Sequence, residues 1–235
     1  AFSDLNRLRQ IAIIATRYGF GEMMERSGIR KKIGDDAVSV TSNTAQSLST
    51  ARRFRMMLAE LGPTFVKLGQ VLSTRGDMLP AEYIDELSLL QDRVPAIPFD
   101  EIREQIESAF HRELGELFSS FSNESIAAAS IAQVHRAKTR DGQDVIVKVQ
   151  RPGIAEQIRA DLSVLHYFAR MLEAVIEEMG VYTPTAIVEE FDRAVHEELD
   201  FLQEAANVRS FFQNHASRAT VKIPKVYDDL TARTV

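Results

Sequence analysis

Lys148 stands in Val145-Ile146-Val147-Lys148-Val149, an ammonium group set among apolar residues. The stretch around it, Ser125 to Pro152, reads as two strands, roughly Ile131 to Thr139 and Asp144 to Gln150. They meet at Asp141-Gly142, a dipeptide that supplies the positive φ a tight hairpin needs. Strand side chains alternate, so Val145, Val147 and Val149 face one way and Ile146, Lys148 and Gln150 the other. A cation held there can neutralise phosphate oxygens or pair with a carboxylate. Carboxylates come later: Glu197, Glu198, Asp200 and Glu204 share one side of a helical pattern. Like charges at i, i+3 and i, i+4 each cost a few tenths of a kcal/mol on a bare helix, so a cationic partner is expected nearby. Without a lysine to meet them, these acids would read as a solvated face. On another helix Lys67, Gln70 and Thr74 share a face at i, i+3, i+7.

Ahead of the hairpin, Ala127-Ala128-Ala129-Ser130-Ile131-Ala132-Gln133-Val134 has the spacing of the protein-kinase phosphate loop, G-x-G-x-x-G-x-V, with alanine at all three glycine positions. Val-Ile-Val-Lys fits the V-A-I-K strand, whose lysine neutralises nucleotide phosphates and pairs with a helix glutamate. Together with Lys67-Leu68-Gly69-Gln70 and Glu198-Leu199-Asp200, this order of motifs resembles the UbiB family of atypical kinase-like proteins. The resemblance runs from about Leu58 to Val235.

The resemblance implies an α+β fold, a mostly helical N-terminal extension packed on a protein-kinase-like small lobe of short antiparallel sheet plus C helix. It implies ATP or ADP with Mg²⁺ as cofactors. Ala127, Ala128, Ala129, Ser130, Val134, Ile146 and Lys148 would form the nucleotide site. Lys148 would pair with Glu204, and Lys67 with Glu198 of the Glu198/Asp200 motif; Glu197 remains an alternative in either pair. Lys67 and Gln70 would lie across the cleft where an ordinary kinase seats a peptide, barring protein substrates. The implied partners are prenyl-lipid or quinone precursors, their biosynthetic enzymes and a membrane surface. The implied setting is cytoplasmic, peripheral to a bacterial inner membrane, or an organelle. The activity is that of an atypical kinase or ATPase supporting ubiquinone or related prenyl-lipid biosynthesis. The alternative is a catalytically inactive, nucleotide-gated lipid-binding or scaffold protein.

At 235 residues and 45% hydrophobic, the chain can bury one large core or two small ones. With no cysteine it has neither a disulfide framework nor a thiolate metal site. Its longest apolar runs, near Ile11 to Ala15 and Ser125 to Ala132, fall far short of the ~20 residues of a membrane span. Residues 1–60 carry ten Lys and Arg against six Asp and Glu, a balance of +4; the remainder carries eighteen against twenty-eight, or −10. The basic, amphipathic N-terminus could attract anionic lipid or be a solvated helix face. The acidic remainder argues against nucleic acid as the main partner. Histidines 111, 135, 166, 196 and 215 show no metal-ligand spacing.

Along the chain, a helix is expected over Asp4 to Ser27, then a Ser/Thr/Asn-rich linker at Ser39 to Ser49 and a helix over Ala51 to Leu61. Gly62-Pro63 starts the helix of Lys67 and Gln70, in which Gly69 implies a close approach. Shorter helices from Pro80 to Gln91 and Phe99 to His111 would place it. Ile154, Ile158, Leu162, Leu165, Ala169, Leu172 and Ile176 predict a core-facing helix to Met179. Thr183-Pro184 starts another, with Val188, Phe191, Val195, Leu199, Leu202 and Ala206 buried. Ile223 to Tyr227 and Arg233 to Val235 suggest two last strands, with the chain ending before a kinase hinge. The expected domains are 1–45, 46–113 and 114–235.

Overall fold

The computed structural model describes residues 2–22, 48–91, 94–175, 183–215 and 220–235. The linker expected at Ser39 to Ser49 falls mostly outside them, as do Ile176 and Met179. The chain divides into two compact units, Ala1–Asp92 with Glu156–Asp192, and Arg93–Ala155 with Arg193–Val235.

In the first unit, helix α1 (Phe2–Arg17) ends at Gly19, whose φ of 84° suits glycine, and the Phe20 N–H returns to the Ala15 carbonyl at 2.9 Å. Helix α2 (Thr50–Leu61) is capped by the Ser49 hydroxyl, which accepts from the Arg52 N–H at 3.2 Å. Gly62 turns the chain with φ 101°, and Pro63 opens α3 (Pro63–Ser73). Helix α4 (Ala81–Leu87) follows. The core of this unit joins Ile11, Ile14 and Ala15 to Leu58, Leu61, Phe65, Leu87 and, from a later helix, Val164. Ile11, Ile14 and Ala15 of α1 are therefore packed within this unit.

The glycine inside α3 has a packing reason. A Cβ on Gly69 would stand 2.3 Å from Leu90 Cδ1 and 3.0 Å from Leu58 Cδ1. Nearby, fully buried Asp161 accepts the Thr64 hydroxyl at 2.5 Å and is ion-paired with Arg7, whose Nη2 also donates to the Leu61 carbonyl at 2.6 Å. The charge is thus compensated on all sides, as burial demands.

The second unit begins with α5 (Phe99–Phe110) and the short α6 (Leu114–Leu117). Strands β1 (Phe118–Ala128), β2 (Ala132–Thr139) and β3 (Asp144–Gln150) then form an antiparallel sheet in the order β1-β2-β3. The β2–β3 hairpin has the expected bounds, with Gly142 at φ 84°. Strand β1 was not anticipated: its Ser/Asn/Glu-rich, bulged sequence breaks the alternation on which strand recognition rests. Beneath the sheet, Val147, Val149 and Ala137 pack on Ile102 and Ile106 of α5. Helix α5 thus supports the sheet, whereas it was expected to place the Lys67 helix.

After β3, α7 (Ile154–Val175) buries Ile158, Leu162 and Ala169 as expected, while Leu172 is 36% exposed. The single helix expected from Pro184 is two, α8 (Pro184–Leu199) and α9 (Phe201–His215). Asp200 makes the break: its carboxylate accepts the Leu202 N–H at 3.1 Å and its carbonyl the Gln203 N–H at 3.0 Å, an N-cap for α9. The phase shifts accordingly. Phe201 and Ala205 are buried, and Leu202, expected inside, is 45% exposed. The two final strands are also corrected: residues 221–227 and 231–235 are not strand, and Asp228–Leu230 is a 3₁₀ turn. Pro224 lacks a ladder donor, and the end segment meets β3 through the Gln150 N–H to Thr234 carbonyl bond, 2.8 Å. Among the described residues no helix is long and apolar enough to cross a membrane.

Candidate functional site

Strand alternation puts Lys148 on the sheet face away from α5, with Val134 and Ile146 beside it: Val134 is its cross-strand partner, and Arg136 is that of Ile146. The break at Asp200 sets the phase of α9, so Phe201, Glu204, Ala205 and Val208 turn one side toward β3. Between them lies a cleft of about 830 Å³, whose other wall includes Lys225, Tyr227 and Val235.

Within that cleft Lys148 Nζ donates to Glu204 Oε2 at 2.6 Å and lies 4.5 Å from the centroid of the Phe201 ring. Glu204 occupies the first turn of α9, where the helix dipole favours a negative charge. The side chains remain 36% and 52% exposed, so the pair contributes roughly 0–1 kcal/mol to stability. The contact uses one of three ammonium donors, so the group can meet a second anion while keeping the carboxylate. Ile146, 67% exposed in the same cleft, offers an apolar surface beside it.

The other anticipated residues fall as follows. Ala127 and Ala128 end β1, and Ala129 and Ser130 form the turn into β2. These four and Val134 do not line the cleft, which takes Ile126 from β1. Glu197 is exposed, and its carbonyl accepts the Asp200 N–H at 3.3 Å. Asp200, besides capping α9, sits 3.2 Å from Arg233. Glu198 is near the end of α8 in the second unit, whereas Lys67 and Gln70 are on α3 of the first; Gln70 Nε2 donates to the Leu90 carbonyl at 3.3 Å. The cleft's unanticipated members include Ile126, Arg136, Phe201 and, from the end segment, Lys225, Tyr227 and Val235. The break at Asp200 could have signalled Phe201, because an aspartate two residues before an amide it can accept is a cap signature.

Residues 89–235 match the model of the ABC1 atypical kinase-like domain. The chain belongs to the ABC1 atypical kinase-like family. Its relatives carry the UbiB name anticipated from the motifs. The "Probable protein kinase UbiB" of Marinobacter nauticus is 43% identical over 188 residues, covering 80% of this chain and 34% of that protein. The protein of the same name from Pseudomonas putida is 43% identical over 189 residues, covering 80% and 35%. The chain thus spans about a third of the length of these curated relatives. Among solved structures, the Rv3197–erythromycin complex from Mycobacterium tuberculosis is 30% identical, with a TM-score of 0.51, covering 75% of this chain and 44% of that one. The expected α+β, kinase-like architecture agrees with this ABC1-family match.

Proposed function

We propose that this chain forms the nucleotide-binding portion of an atypical kinase or ATPase that supports ubiquinone or related prenyl-lipid biosynthesis. The observation that carries the reading is the 2.6 Å pair of Lys148 and Glu204 inside an apolar-walled cleft. A strand lysine fixed by a helix glutamate is the arrangement that places a cation on nucleotide phosphates. The UbiB name of the relatives supports the pathway part of the reading.

The residues fit ATP or ADP: Lys148 offers the phosphate cation, and Ile146 with Phe201 offers apolar surface. They do not by themselves fit Mg²⁺. Among the described residues no three His, Cys, Asp or Glu side chains converge to hold a metal, so its ligands would come from elsewhere in the full protein. In this reading Lys148 orients and neutralises phosphates, Glu204 keeps its ammonium aimed while the cleft is empty, and Phe201 limits water on one side. The helix of Lys67 and Gln70 bars protein substrates, and the protein works at the surface of a membrane beside prenyl-lipid enzymes.

An ATPase assay of the full-length protein, with and without a prenyl-quinone-like lipid, tests this reading. Turnover lost in Lys148→Ala supports it; undiminished turnover in that variant overturns it. A second reading, a nucleotide-gated small-molecule or lipid-binding protein without chemistry, draws on the Mycobacterium tuberculosis neighbour, which is solved with erythromycin. Nucleotide binding with no turnover under any lipid condition would favour it.

A further inference from the structure

The ammonium group of Lys148 has a second partner besides Glu204, and both come from one helical turn. Phe201 is the first residue of α9 and Glu204 lies three positions on, so the two side chains share a side of the helix. Glu204 Oε2 accepts from Nζ at 2.6 Å, and Nζ stands over the Phe201 ring, 4.5 Å from its centroid. An aromatic face carries negative potential, so a ring within roughly 6 Å attracts a cation without offering it an oxygen acceptor.

The two partners differ in how firmly they are held. The Glu204 side chain is 52% exposed, whereas Phe201 is 5% exposed. The Phe201 N–H donates to the Arg233 carbonyl at 3.1 Å, and the adjacent Thr234 carbonyl accepts the Gln150 N–H at 2.8 Å, two residues beyond Lys148 on β3. Gln150 Nε2 in turn donates to the Leu199 carbonyl at 3.0 Å, just ahead of the Asp200 cap. The ring is thus fastened from both sides to the strand that carries the lysine. The lysine itself ends a flexible four-carbon stem, and its charged end is part-exposed.

We propose that Phe201 is a positioning residue for Lys148: its π face holds the ammonium group in the cleft, where the donors not given to Glu204 meet an anionic ligand. The ligand part of this rests on the nucleotide-binding reading of the cleft; the positioning part rests on the contact itself. Burial alone asks only for an apolar side chain at position 201, and an aliphatic one lacks the electrostatic attraction of the ring. A cation aimed before the ligand arrives loses less conformational entropy on binding, so the ring acts through preorganisation. It does so without occupying the site of an incoming oxygen, which a second carboxylate at the same place would contest by repelling the anion.

The experiment uses the full-length protein, with MgADP titrated by calorimetry. Phe201→Leu keeps apolar bulk and removes the π face, and should weaken MgADP about three- to tenfold. Phe201→pentafluorophenylalanine keeps the ring's shape and reverses the potential of its face, so it should weaken MgADP at least as much, with a melting temperature near wild type. It also serves if the leucine variant does not fold. A purely structural ring would respond to leucine and not to fluorine, so affinity within about twofold of wild type in the fluorinated protein overturns the inference. The ligand-free protein gives an independent reading by NMR. The ring current of Phe201 should move the ε-methylene protons of Lys148, assigned with Lys148→Arg, upfield of the ordinary lysine position, and Phe201→Leu should abolish the displacement. Its absence in the wild type overturns the positioning whatever the nucleotide does. Displaced protons in a wild-type protein that binds no MgADP support the positioning and overturn the nucleotide reading instead.

Discussion

In the helical unit Arg7 meets Asp161; in the sheet unit Lys148 meets Glu204. The first pair is 12% and 0% exposed, and Thr64 and the Leu61 carbonyl complete its hydrogen bonds. Together these groups tie four helices, α1, α2, α3 and α7. The second is 36% and 52% exposed and opens on a cleft. Both are short contacts between opposite charges, yet burial makes one a fixed part of the architecture, and exposure leaves the other accessible to a ligand. Charge pairing alone does not mark a functional residue; the surrounding solvent does.

The comparison breaks first at Asp161. Removing one partner of a buried pair strands the other charge, so Asp161→Ala should cost about 3–5 kcal/mol in urea unfolding of the helical unit. A loss below about 1 kcal/mol would place this pair with the exposed ones. Next in size is Gly69→Ala on α3. The added methyl meets Leu90 and Leu58, and overpacking of about 1–3 kcal/mol should outweigh the gain of about 1 kcal/mol in helix propensity. A raised unfolding midpoint would show that Leu90 moves aside freely. Smaller again is Asp200→Ala, which should cost about 1 kcal/mol through loss of the α9 cap, with Asp200→Asn nearly neutral in stability. If the asparagine variant keeps its stability and loses turnover, the carboxylate has chemical work beyond capping.

Much of the sheet unit was legible because its signals are local. Asp141-Gly142 fixes the hairpin, alternation fixes the face of Lys148, and the motif order points to the family. Gly69 likewise announced a close approach that Leu90 and Leu58 explain. What escaped depended on contacts distant in sequence. The periodicity of Val188 to Ala206 runs across Asp200 and masks its local cap, while the break is held from a distance by the Phe201 N–H to Arg233 carbonyl bond at 3.1 Å. Strand β1 is held by β2 while its own bulged sequence lacks alternation. The burial of Asp161 is invisible in a helix pattern, because its partners lie 154 and 97 residues away.

The most direct measurement is isothermal titration of MgADP into full-length Lys148→Ala alongside its urea unfolding curve. An exposed pair that serves a ligand predicts unfolding within about 1 kcal/mol of wild type and nucleotide affinity reduced beyond detection. Full affinity in the variant, or a stability loss of the size expected for Asp161, would contradict the assignment of Lys148 to the cleft's chemistry.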